Sequence, residues 1–186
     1  MHVKVRALAV GGVLTALALV CMFSGSLFEF NTAFFLVLAA FLIGTVAAVA
    51  GVFTACVSFA ATVILGIFLS PVKMYVLTFS FFVPYVISCE FITKKKVSKK
   101  SAVVIKALIW WIWSAVCGLV FFMITGFAGL NGLIPDFLAE ASMTMKVIAF
   151  VLAFIIAWIV TDIAYYAYRK EVNRRIYKTI YKEERA

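Results

Sequence analysis

Residues 33–70 form one run of 38 residues without a charged side chain. Built as a single helix at ~1.5 Å per residue, the run would be roughly 57 Å long, nearly twice the ~30 Å hydrocarbon core of a bilayer. One straight span is therefore implausible, and a soluble domain has nowhere to bury so much apolar surface. Two short helices turning near Gly51 resolve the conflict. Glycine lowers the cost of a tight turn and leaves flanks of about 17–18 residues, an ordinary span length. The rest of the chain has the same character. Hydrophobic residues make up 66% of the 186 and charged residues 13%, well under the roughly 25% charged of soluble domains, and the mean hydropathy is +1.15. The few charges gather in islands between uncharged runs. Such islands read as loops and the runs as spans.

The pattern predicts an all-α integral membrane protein, a compact bundle of six transmembrane helices over residues 7–28, 33–50, 52–70, 74–93, 102–128 and 146–168. The first run, about 22 residues long, exceeds the ~7–15 of a signal-peptide core, and no A-x-A-like site closes it, so it is expected to stay as an anchor. Six spans put both termini on one side with Lys94, Lys95, Lys96, Lys99 and Lys100, and the positive-inside rule makes that side the cytoplasm. The outer loops then hold Glu29, Lys73, Asp136, Glu140 and Lys146. Five spans would leave a strongly basic segment outside. The basic tail, 169–186, places Val172, Ile176, Tyr177 and Ile180 at helical spacing, which predicts an amphipathic helix on the inner membrane surface. A basic rim against anionic headgroups accounts for the net charge of +9, so no nucleic-acid partner is expected.

Several kinds of chemistry lack the residues they need. The only histidine is His2, at the N-terminus, so the interior has no imidazole base or histidine metal ligand. Cys21, Cys56, Cys89 and Cys117 lie in apolar runs without a CxxC pair, which suits buried thiols better than a metal site. GxSG, HExxH and GxxxxGK[ST] are all missing from the sequence. No enzyme activity, metal or cofactor is expected, and any use of ATP falls to partners.

The residues that remain point to packing and binding. Ala7 with Gly11, and Gly12 with Ala16, are small pairs four apart on the first span, a spacing that lets helix backbones approach closely. Packing within the bundle and docking to another membrane protein are both open for that helix. Glu90 and Asp162 fall near the cytoplasmic ends of their spans, within reach of Lys94 and Arg169, and are expected as interfacial partners of those cations. Pro84, in the middle of the fourth span, removes one backbone hydrogen bond and leaves a carbonyl free. On the outer side, Glu29, Asn31, Lys73, Tyr75 and Asn131 sit in or beside loops that can close over a small solute, with Tyr85, Trp110 and Trp113 as walls from spans four and five. Solvated loops and ordinary bundle packing account for the same residues.

The arrangement resembles the substrate-binding S components of energy-coupling factor (ECF) importers for vitamins and micronutrients. It is most similar to the S-component-like membrane proteins of Gram-positive bacteria. The likeness runs from Arg6 to about Tyr168. It rests on Arg6-Ala-Leu-Ala-Val-Gly-Gly-Val-Leu-Thr-Ala-Leu17, a Ser-Gly-Ser bend at 24–26, and Pro71-Val-Lys-Met-Tyr75 ahead of a span with Phe81-Phe-Val-Pro-Tyr85. The resemblance implies a multi-pass protein of the cell membrane that binds a solute from outside. A separate transmembrane coupling protein, driven by paired ATPases, would move that solute. Gly12 and Ala16, with Ala7 and Gly11 as a second pair, would contact the coupling protein. The runner-up is a structural or assembly subunit of an envelope or cell-shape complex, similar to MreD-like proteins. The topology is directly testable. In a variant without native thiols, cysteines placed within 94–100 or the tail should resist a membrane-impermeant maleimide in intact cells, and cysteines at 29, 73 and 136 should react. Labelling of the lysine cluster from outside would remove the six-span arrangement.

Overall fold

The computed structural model describes residues 2–27, 31–70, 72–95, 97–131 and 143–181. Its elements are α1 (His2–Leu27), α2 (Thr32–Val49), α3 (Val52–Leu69), α4 (Lys73–Lys94), α5 (Lys99–Asn131) and α6 (Met143–Tyr181). Among the described residues all regular structure is helical, and six helices are long and apolar enough to cross a membrane. The long uncharged run breaks where its length requires. α2 ends at Ala50, and Gly51 has φ of 100°, a left-handed conformation that a side chain would strain. The Ser-Gly-Ser bend expected at 24–26 is instead the last part of α1. Gly25 keeps the helix close to α2, where Thr32 Oγ1 donates to its carbonyl at 3.0 Å. α6 is one continuous helix of 39 residues through Tyr168, so the basic segment as far as Tyr181 prolongs the sixth span.

α2 is the centre of the bundle. Its residues 39–49 are buried without interruption, and α1, α3, α4 and α6 pack around it. A helix apolar on every side has no wet face to offer and belongs in the middle of its neighbours. Gly44 sets the closest approach. A Cβ there would stand 2.7 Å from the Tyr165 hydroxyl and closer still to Val86 Cγ1, so α4 and α6 both press on bare backbone. The main core gathers Met22, Leu36, Ile43, Val46, Phe79 and Val83 among α1, α2 and α4. A second, aromatic cluster joins Phe41, Tyr85, Trp110 and Tyr165 across α2, α4, α5 and α6.

Backbone groups freed at helix ends and at the proline are met by side chains of neighbouring helices. Lys73 donates to the carbonyls of Ile67 and Ser70 at the C-terminal end of α3. Lys94, at the other end of α4, donates to Ala47 O near the end of α2 at 2.7 Å. Both cations sit where a helix dipole is negative. Pro84 has no N–H to offer Ser80 O, and the Trp113 indole N–H takes that carbonyl at 2.8 Å, tying α5 to α4. Alternation of the helices puts His2, the Ala50–Gly51 turn, the α4–α5 connection and Tyr181 on one face, called here the basic face. The proline contact predicts a coupled pair. Trp113→Phe should lower the unfolding temperature of the detergent-purified protein, at a cost of about 1–3 kcal/mol for a stranded carbonyl. In a Pro84→Ala background, where Ser80 O regains a backbone partner, the same change should cost much less. Equal losses in both backgrounds would show that the indole bond is not the partner of the proline.

Candidate functional site

The site is built on α4, α5 and α6: α4 and α5 pack closely, and long polar side chains cross from them to α6, whose backbone stays further off. Tyr85 on α4 donates its hydroxyl to Asp162 Oδ1 on α6 at 2.8 Å, and Tyr165 on α6 donates to Glu90 Oε1 on α4 at 2.7 Å. Each helix thus supplies a tyrosine to the other helix's carboxylate. Each carboxylate also receives a cation on the same oxygen: Lys106 Nζ lies 2.7 Å from Asp162 Oδ1, and Arg169 Nε 2.6 Å from Glu90 Oε1. Trp158 Nε1 completes the first group by donating to the Tyr85 hydroxyl at 3.0 Å. Glu90 is 0% exposed, so its charge depends on these two partners. Among the described residues, Glu90 Oε2 and Trp110 Nε1 are buried without a hydrogen-bond partner.

Aromatic rings close the middle of the site. Trp110 lies 5.1 Å from Tyr85 and 4.7 Å from Phe81, and it meets Phe154 of α6 at 5.4 Å. Trp111 reaches the same Phe154 ring at 5.0 Å. Towards the basic face α5 and α6 are no longer joined in this way, and a cleft of about 410 Å³ opens between them with α4 as its floor. Cys89, Ile92 and Thr93 come from α4, Ala102 and Lys106 from α5, and Asp162, Tyr165, Tyr166 and Arg169 from α6. The Lys106–Asp162 bridge stands on its wall with side chains 22% and 34% exposed.

Of the residues expected to bind a solute, the structure brings Tyr85 and Trp110 together and spreads the rest along the bundle. Trp113 has its indole N–H on Ser80 O. Lys73 is exposed with its ammonium on two α3 carbonyls, and Tyr75 is half-buried against the main core. Asn31 is exposed just before α2. Glu29 lies outside the described residues, as does the side chain of Asn131 at the end of α5. On α1 the two small pairs part company. Ala7 and Gly11 are buried, and a Cβ on Gly11 would meet Ala50 and Val46 at 3.5 Å. Gly12 and Ala16 face outward, and among the described residues nothing lies within 4 Å of where a Gly12 side chain would begin.

Sequence reasoning paired Asp162 with Lys94 or Arg169, whereas its partner is Lys106, and Lys94 serves a helix end instead. Lys106 is the one charged residue within the expected span 102–128. Its position six residues past Lys100, seven past the start of α5, is the signal that sets it at membrane depth. These features define a multi-pass α-helical membrane protein with an ionised interior at one end of three spans. Compared with known proteins, the chain matches no family model, no curated protein and no solved structure. The buried pair predicts an asymmetric mutant series. Arg169→Met leaves Glu90 without its counter-charge and should destabilise the purified protein by about 3–5 kcal/mol. Adding Glu90→Gln should recover most of that loss in thermal unfolding, and no recovery would show that Arg169 contributes by packing alone.

Proposed function

We propose that the chain is the solute-binding membrane subunit of an ECF-type importer. In this reading it sits in a bacterial cell membrane with both termini in the cytoplasm. It binds a vitamin or other small micronutrient and moves it only with a separate transmembrane coupling protein and paired ATPases. The observation that carries the reading is the polar interior of α4, α5 and α6. Ionised and hydroxyl groups at membrane depth are costly and mark solute or ion paths. Here the Trp110 N–H and Glu90 Oε2 lack partners among the described residues, and such buried groups ask for an occupant. The solute would enter from the side opposite the basic face, past Asn31 and Lys73, towards Tyr85 and Trp110.

The outward pair on α1 supports the need for a partner. Gly12 and Ala16 are exposed among the described residues, while the neighbouring Ala7 and Gly11 are buried and fill the ordinary role of small residues inside the bundle. A face of that kind suits close backbone approach by another membrane helix. Gly12→Trp or Ala16→Trp should therefore release the coupling protein and ATPases in pull-downs from mild detergent, with elution volume and melting temperature unchanged. Gly11→Trp should instead destabilise the fold. Recovery of an envelope or cell-shape complex in place of ATPases would replace this reading with the structural one.

A further inference from the structure

The cleft on the basic face lies at the end of the bundle opposite to the one from which the proposed solute would enter, and the exposed side of the ion-pair site opens into it. Its residues occupy the ends of three spans: the last turns of α4, the first two turns of α5 and the matching stretch of α6. Lys106 lies six residues from Lys100, so at ~1.5 Å per residue it is about 9 Å from that end of the span. That is the depth where headgroups meet acyl chains.

The cleft exposes more donors for an anion than acceptors for a cation. Lys106 and Arg169 both border it, and Asp162 is the one carboxylate on its wall. Glu90, the partner of Arg169, is 0% exposed behind Tyr165 and Arg169, so a ligand in the cleft cannot touch it, although its charge offsets that of Arg169. Lys106 has three donors and Arg169 five; among the described residues one Lys106 donor meets Asp162 and the Arg169 Nε meets Glu90. Exposed Lys94, Lys95 and Lys100 stand at the same end of the bundle. Ile92, Val97 and Tyr166 give the cleft an apolar flank beside the cations, and its volume of about 410 Å³ falls within the range of roughly 300–1,000 Å³ for ligand sites.

We propose that this cleft binds a phosphate group at the membrane interface, held by Lys106 and Arg169 in charge-assisted hydrogen bonds. Phosphate is the anion that the bilayer itself presents at this depth, and basic pockets between spans are built to take it. Asp162 keeps Lys106 in place on one side and limits the net attraction, so a phosphodiester on an apolar stem fits better than a strongly charged free anion. A headgroup of an anionic phospholipid and a soluble phosphate ester share the recognised chemistry.

Native mass spectrometry of the full chain in mild detergent distinguishes the sources, with phosphatidylglycerol and sn-glycerol 3-phosphate as probes. Three variants accompany the wild type. Ala102→Trp fills the cleft while keeping the residues of both ion pairs, Lys106→Met/Asp162→Asn removes one pair as a unit, and Lys95→Gln changes only a rim charge. Retention of phosphatidylglycerol that falls roughly tenfold or more in the first two variants, and little in the third, is the expected result. The same pattern with glycerol 3-phosphate and not with the lipid assigns the site to a soluble phosphate ester. Melting temperatures identify a variant that fails to fold, and Ala102→Trp and the double variant fail for different reasons. Binding of both probes that is equal in wild type, Ala102→Trp and the double variant, or absent from the wild type, overturns the proposal.

Discussion

In hydrocarbon a backbone carbonyl has no water to turn to, and the arrangement of this bundle follows from where its freed carbonyls find donors. Lys73 and Lys94 stand at opposite ends of α4 and reach the terminal carbonyls of α3 and α2. Trp113 covers the carbonyl that Pro84 releases. These contacts fix α4 against three neighbours by groups that cannot be satisfied elsewhere at low cost. Apolar packing alone sets no such register, because lipid tails are as good a neighbour for leucine as another helix is.

The reciprocal tyrosine bonds extend the same logic to α6. The backbones of α4 and α6 do not approach closely, so Tyr85–Asp162 and Tyr165–Glu90, with the Arg169–Glu90 pair, bridge the gap between them through side chains. The two bonds leave the ionised groups on one side of the bundle and the aromatic rings towards its middle. A polar site and a helix clamp are here the same set of atoms, so changes that empty the site also loosen the sixth span.

Much of the architecture was legible because bilayer thickness turns length into topology. An uncharged run too long for one span must turn, and Gly51 was the residue able to turn it. The freed carbonyl at Pro84 could also be read from the sequence. Its partner could not, since Trp113 lies on another helix and nothing local sets the rotation of α5 against α4. The site was harder for the same reason. Glu90 and Asp162 stood out as charges near apolar runs, but which cation each would meet depends on helix rotation and not on spacing along the chain. The Ser-Gly-Ser segment misled because glycine and serine favour a bend in isolation, whereas Gly25 lies close against α2 and stays helical.

Gly44 limits how the bundle can move. The Tyr165 hydroxyl occupies the place of the missing side chain, as a key occupies a notch. Sliding α6 by one turn, about 5.4 Å, would bring Thr161 or Arg169 to that notch, and a guanidinium against Val86 would lose its carboxylate in an apolar setting. Lengthwise travel of the sixth helix therefore has no gradual route. Tilting about the notch, by contrast, keeps Tyr165 seated against Gly44.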